Sequence, residues 1–272
     1  MARSTISLPV IQMSVSLQSS SAKDPALQID ICAGYLRYID SKTPILQGIN
    51  MRIPAGQWTC ILGRSGCGKT SLLRYLAGLL DQHVSWSGKL TTEPPQSDLK
   101  NNIAYMAQQD LLMPWLSVLD NVTLSAKFGN SPGPAQEQQA LKLLAKVGLA
   151  ESANSLPQQL SGGMRQRVAL ARTLMQNKSV ILMDEPFSAV DAVTRYRLQD
   201  LACELLKDKT VVLITHDPQE AIRLADQIYI IQGKPGSAES LDVPASLTPR
   251  KFDPECAQLH QSIMACLEQD HV

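Results

Sequence analysis

The sequence predicts an α/β fold: a mixed, mostly parallel sheet with an antiparallel β subdomain and an inserted helical subdomain. Three observations carry this reading. Short apolar runs alternate with segments of helical spacing along most of the chain, the pattern of strand–helix–strand units. Val180–Met183 and Val211–Thr215 contain no charged residue, as suits strands covered on both faces. By contrast, Ile49, Met51 and Ile53 alternate with Asn50 and Arg52. That period of two marks a half-buried strand, best paired antiparallel with Leu27–Cys32.

The elements follow in order. Residues 1–26 are serine-rich and nearly uncharged, and Ile6–Leu17 is broken by Pro9, Gln12 and serines. This is a poor signal-peptide core and reads as a flexible N-terminal tail. The main unit runs from 27 to 232. In it, Trp58–Leu62 feeds a glycine-rich turn, and Leu72, Leu76, Leu79 and Leu80 follow at helical spacing. Thr91–Asn101, with Pro94 and Pro95, reads as a surface connection, and Ile103–Ala107 as a short strand. Residues 108–175 change character: Leu141, Leu144 and Val147 lie on one helical face, and prolines at 114, 132, 134 and 157 punctuate the segment. This is the inserted helical subdomain. Leu198, Leu201 and Leu205 mark a helix. Asp217-Pro218-Gln219-Glu220 reads as a helix start with Asp217 as N-cap and Glu220 closing a capping box. Ile228–Ile231 is the last core strand expected. Residues 233–272 read as a Pro/Gly/Ser-rich link and a C-terminal helix marked by Leu259, Ile263, Met264 and Leu267.

Composition narrows the function classes. A formal net charge of zero with no long basic run argues against nucleic acid as a partner. No stretch of about 18 consecutive apolar residues occurs, so this sequence does not span a membrane as a helix. The six cysteines form no C-x-x-C pair and read as reduced thiols. Cys256 and His260 lie one helical turn apart, but no second ligand pair accompanies them. Cys67 lies inside the glycine-rich turn, where alkylation is expected to block access to the site.

That turn, Gly63-Arg64-Ser65-Gly66-Cys67-Gly68-Lys69-Thr70 followed by Ser71, is a phosphate-binding loop. Its glycines let backbone N–H groups curl around a β-phosphate, and the helix start adds its positive dipole end. Lys69 reaches the β- and γ-phosphates, and the Thr70 hydroxyl serves Mg²⁺. Asp184 and Glu185 end an apolar strand, where carboxylates are poorly solvated unless they meet a cation or a donor. Asp184 is the expected magnesium residue, and Glu185 the base that polarises water. Ser161, Gly162 and Gly163 open another helix, a second anion-ready turn. Neither glycine segment suffices alone for hydrolysis. Together they point to ATP held between two copies of the domain.

With these residues in this order, the chain resembles the ATP-binding subunits of ABC transporters over about Leu27 to Ile231. The motifs are the phosphate loop, Gln108, Leu160–Met164, Val180–Glu185, Ser188-Ala189-Val190-Asp191 and His216. The resemblance implies a P-loop NTPase core and a head-to-tail dimer. In it, each ATP with its Mg²⁺ is gripped by the phosphate loop of one subunit and the Ser161–Gly163 signature of the other. It implies that Gln108 contacts magnesium and water and senses a membrane partner. It also implies that Asp191 belongs to the loop crossing the dimer interface, that His216 meets the γ-phosphate, and that Tyr38, with Tyr35 as runner-up, stacks on adenine. Val190, where leucine is usual, and Ala107, where a bulkier residue is common, are small departures.

Met164-Arg165-Gln166-Arg167 and Leu112–Val122 resemble the nitrate, sulfonate and taurine branch of bacterial importers, which also holds importers of thiamine-precursor pyrimidines. The segment after Asp191 leans towards the pyrimidine type. The implied partners are a second ATP-binding subunit, transmembrane permease subunits and, indirectly, a periplasmic solute-binding protein. The implied location is the cytoplasmic face of the cell membrane. Pro114 and Trp115, just past Gln108, read either as part of a groove for permease helices or as ordinary core packing.

Overall fold

A computed structural model describes residues 25–95, 98–127 and 133–269; the N-terminal tail read from the sequence lies almost wholly outside them. The uncharged apolar runs become the centre of a six-stranded sheet. Its strands are β3 (Trp58–Gly63), β5 (Ile103–Met106), β6 (Val180–Asp184), β7 (Thr210–Ile214), β8 (Gln227–Gln232) and β9 (Ser237–Leu241), ordered β5-β6-β7-β3-β8-β9. All its pairings are parallel except β8–β9. Every residue of β3, β6 and β7 is buried, because alternate side chains enter two different cores. Cys60, Ile181, Met183, Val211 and Leu213 join one core, and Ile61, Val180, Leu182, Val212 and Ile214 the other. This double covering explains why these runs lack the alternation of a half-exposed strand.

The alternating segment pairs as its pattern predicts. β1 (Gln28–Tyr38) and β2 (Leu46–Ile53) are antiparallel, with Ile29 opposite Ile53 and Ile31 opposite Met51. A third strand, β4 (Val84–Glu93), lies on the other side of β1. The surface connection expected from residue 91 therefore begins only after Glu93. None of the ten residues of β4 is buried, so its apolar signal is weak. This three-stranded sheet and α1 (Lys69–Leu76) pack on one face of the large sheet.

The other face carries the helices. α2 (Val118–Val122), α3 (Leu124–Lys127), α4 (Pro134–Lys146) and α5 (Gly162–Met175) follow β5; α6 (Ala192–Leu205) follows β6; α7 (Pro218–Leu224) follows β7; and α8 (Pro254–Gln269) follows β9. Several sequence expectations shift here. The buried face of α4 and its C-cap is Ala140, Leu144 and Val147, while Leu141 is largely exposed. A helix of 3.6 residues per turn puts Leu141 about 100° from Ala140, outside the packed stripe. α1 ends at Leu76, so Leu79 lies beyond it and is exposed. On α8, Leu259 and Ile263 are buried and Met264 is exposed. The stretch expected to be a link from residue 233 contains β9, which pairs antiparallel with β8 and forms the edge of the sheet. Its exposed, polar sequence hides it from a hydrophobicity reading.

Candidate ATP site

The phosphate loop forms because β3 must turn sharply into α1. Gly63 has φ 146°, and a Cβ there would lie 2.3 Å from the Ile231 carbonyl. Gly68, with φ 103°, is the N-cap of α1. Both conformations suit glycine alone. Lys69 is buried, and its Nζ donates to the carbonyls of Gly63 and Arg64 at 2.7 Å each. The ammonium is thus held beneath the loop by neutral acceptors. A pocket of about 220 Å³ opens in front, lined by Ser65, Gly66, Lys69, Thr70, Gln108 and Glu185 among others.

Cys67 is buried, with Sγ 3.8 Å from Lys69 Nζ. Its thiol belongs to the core on the small-sheet side and does not line the pocket, so burial limits the access that alkylation there requires. Tyr38 ends β1, and its hydroxyl lies 3.0 Å from Ser71 Oγ on α1. Tyr35 pairs across the small sheet with Ser87. Of the two tyrosines, Tyr38 is the one tied to the helix that the phosphate loop opens.

Asp184 is 1% exposed. Burial raises its pKa, opposed by a hydrogen bond from Thr70, and the Glu185 charge adds to the rise. Among the described residues its Oδ2 has no hydrogen-bond partner. A buried carboxylate oxygen without a donor, beside a threonine hydroxyl, is the arrangement that a divalent cation would satisfy. The donor set therefore fits Mg²⁺, with Thr70, Asp184 and Gln108 as the residues available to its shell.

Glu185 is where the remaining residues converge. Gln108 Nε2 donates to its Oε2 at 3.0 Å, and His216 Nδ1 lies 3.3 Å from the same oxygen. Its backbone has φ 50°, a left-handed conformation that costs a non-glycine residue about 1–3 kcal/mol. Three contacts hold it there. Its N–H donates to Ile214 O at 2.9 Å, and its carbonyl accepts from Gln166 Nε2 and Ser188 Oγ, each at 3.0 Å. Gln166 is a residue the sequence reading used only as a branch marker. It is buried, and its Oε1 also accepts from Ala189 N at 2.9 Å. One side chain of α5 thereby fastens both ends of the loop Glu185–Ala189. A glutamine embedded between arginines after the second glycine turn was the available signal.

Ser161 caps α5, its Oγ accepting from Met164 N at 3.3 Å. Ser161 and Gly162 are exposed. A Cβ at Gly163 would come 3.2 Å from Val190 Cγ1, so this glycine allows α5 to approach the loop before Asp191. Asp191 caps α6 through Thr194 N at 3.0 Å, and that amide holds its carboxylate below the ordinary range. None of Ser161, Gly162 or Gly163 lines the phosphate-loop pocket. The capping box expected at Asp217 is half made. Asp217 accepts from the amides of Gln219 and Glu220, but Glu220 turns inward to Gln199. The Asp217 N–H donates instead to Thr215 Oγ1.

The Gln108 loop is pinned to α5 by arginines. Arg165 Nε donates to Asp110 Oδ2 at 3.0 Å, and Arg172 donates to the carbonyls of Asp110 and Leu111. Beyond it, Leu111 and Trp115 are 55% and 72% exposed, so Trp115 is not a core residue.

A strand–loop–helix phosphate cradle, a strand-end acid pair and a separate glycine-capped helix define the class, a P-loop ATPase with a second, signature-bearing helix. Residues 46–188 match the family described as ABC transporter, and the chain belongs to that family. It is similar to an ABC transporter ATP-binding protein of Haemophilus influenzae, 44% identical over 83% of this chain and 90% of the relative. It is also similar to the aliphatic sulfonates import ATP-binding protein SsuB 1 of Xanthomonas axonopodis, 39% identical over 84% and 92%. Among solved structures it is similar to the ATP-binding cassette MJ0796, a dimer in a post-hydrolysis state bound to ADP and Pi. That match has a TM-score of 0.66 and 30% identity over 82% of this chain and all of that one. The protein is an ATPase whose hydrolysis is coupled to transport.

Proposed function

We propose that this chain is the ATP-hydrolysing, energy-coupling subunit of a bacterial importer for a small organic solute, acting as a head-to-tail pair. The observation that carries this reading is the separation of the two glycine turns. The phosphate-loop pocket lacks Ser161–Gly163, while Ser161 and Gly162 stand exposed at the start of α5, where they can serve the nucleotide of a second copy.

In that pair, backbone amides of the loop and the α1 dipole neutralise the phosphates, and Lys69 leaves the carbonyls of Gly63 and Arg64 for the β- and γ-phosphates. Thr70, Asp184 and Gln108 would hold Mg²⁺, which would offset the charge of the phosphates. Glu185 accepts a proton from the attacking water, Gln108 orients that water, and His216 meets the γ-phosphate. Tyr38 stacks on adenine, and Asp191 stands at the subunit interface. Each γ-phosphate gathers donors from both subunits, so hydrolysis removes the bridge and the pair opens. The exposed Leu111 and Trp115 beside Gln108 support a groove for permease helices on the cytoplasmic face of the membrane. A periplasmic solute-binding protein would deliver the cargo. Among the described residues no helix is long and apolar enough to cross a membrane, so the permease would be a separate chain or segment.

The named relatives bear on the cargo. The one from Xanthomonas axonopodis is an aliphatic sulfonates import protein, which moves the preferred reading from a pyrimidine to a sulfonate-type solute. The mechanism is tested by Glu185→Gln. Expected are ATP-bound dimers stable in size-exclusion chromatography and turnover reduced by about 10²–10⁴-fold. Wild-type turnover would remove Glu185 as the base.

A further inference from the structure

A cavity of about 450 Å³ lies between α6, α7 and the segment leading into α8, twice the volume of the phosphate-loop pocket. None of the residues assigned above to ATP or magnesium lines it. Its size falls within the roughly 300–1,000 Å³ of small-molecule sites. Its walls combine two aromatic rings, Tyr196 and Phe252, both more than half exposed, with Ile222 and three cations, Arg223, Arg250 and Lys251.

Arg250 is 7% exposed, and its four hydrogen bonds end on the carbonyls of Pro244, Ile222 and Ala225. These acceptors satisfy the N–H groups, and burial pulls its pKa down against the opposing charges of Asp226 and Asp253. Arg223 stacks over the Tyr196 ring at 4.5 Å and bonds Gln199 and Asp200. Among the described residues Asp200 is the only carboxylate in the lining, against three cations, while Asp226 and Asp253 face Arg250 from outside it. Positive charge over an apolar, aromatic floor is complementary to an organic anion.

We propose that this cavity is an inhibitory effector site for a small organic anion. Its acidic head meets Arg223, Arg250 and Lys251, and its apolar body lies between Tyr196 and Phe252. The coupling runs through the cavity's own walls. Asp191 is the N-cap of α6, and His216 directly precedes Asp217, the N-cap of α7. The two helices are tied by Arg195–Asp217 at 3.5 Å, Gln199–Glu220 at 2.9 Å and Arg223–Gln199 at 3.0 Å. An anion that draws Arg223 from Gln199 and Asp200 loosens this clamp, and with it the placement of Asp191 and His216, so turnover falls.

The test uses the purified full chain with hexane-1-sulfonate as probe, followed by calorimetry and by ATP turnover. Sulfate supplies the head alone and hexan-1-ol the body alone. Expected is saturable hexanesulfonate binding that slows turnover, with neither half-probe matching it. Lys251→Glu and Phe252→Ala, both at exposed positions, should each weaken binding by about tenfold and relieve the inhibition, while leaving turnover without the probe unchanged. Any of four results overturns the proposal: no saturable binding at millimolar probe, binding equal in both variants and wild type, displacement of the probe by ATP, or binding with no effect on turnover.

Discussion

Asp184 and Glu220 are both carboxylates at the end of buried strands or the start of the helix beyond, and each is pushed towards its neutral form by burial. Their surroundings separate them. Asp184 keeps an oxygen with no partner, whereas Glu220 accepts from Gln199 at 2.9 Å. The first is an incomplete cation site, the second a closed structural contact. Glu220 therefore gives a residue-scale prediction. Its folded pKa lies above the ordinary glutamate value, so the native state binds the proton more tightly than the unfolded state. Its contribution to stability is full below the ordinary value and is lost as pH rises through the raised one. Glu220→Gln should raise the melting temperature at neutral pH and flatten its fall between acid and neutral pH in thermal scans. A lower neutral melting temperature with an unchanged slope would count against this account.

At the scale of elements, catalytic geometry depends on loops anchored by buried polar side chains. Gln166 fastens Glu185–Ala189 to α5, as described. Asn121 on α2 does the same for the segment after Gln108. It is fully buried, accepts from Met113 N at 2.8 Å, and donates to Met113, Leu116 and Ser117 carbonyls at 3.0–3.2 Å. The segment 113–117 has no sheet or helix to satisfy its backbone, so one amide side chain supplies the partners. Asn121→Leu keeps the volume and strips these bonds. It should cost roughly 1–3 kcal/mol in urea denaturation, the penalty for buried groups left unpaired. Since this segment continues directly from the Gln108 loop, turnover should fall more than ATP affinity does.

At the scale of the whole molecule, the two halves of the proposed ATP grip sit on different structural units. The phosphate loop joins β3 to α1, between the large sheet and the three-stranded sheet, while the signature opens α5 on the opposite face. A substitution at the signature should therefore leave one copy intact and disable the pair. Gly162 suits this test, because the nearest atom to an added Cβ is the Arg165 side chain at 3.9 Å. Gly162→Asp is expected to fold, to bind ATP as tightly as wild type, and to fail in both dimerisation and turnover, since in the proposed pair its charge would meet the partner's γ-phosphate. Reduced ATP affinity of the isolated subunit would contradict the division of labour.

The sequence by itself determined the local chemistry. The phosphate loop, the Asp184–Glu185 strand end, the Ser161 cap and the β1–β2 pairing were legible because each depends on residues close together in the chain or on a simple hydrophobic period. β4 and β9 escaped because their side chains are exposed or half-buried, and their stability comes from ladder hydrogen bonds to strands whose own patterns gave no sign of a further partner. Gln166 and Asn121 were invisible as anchors, since a buried amide is distinguished from a surface one only by what folds over it. The tertiary structure alone decided that Cys67 is buried outside the pocket lining, that Trp115 stands in solvent, and that Tyr38 reaches α1. It also decided that Arg223, Arg250 and Lys251 share a cavity. These are matters of which surface covers a side chain, and covering is set by contacts between segments far apart in sequence.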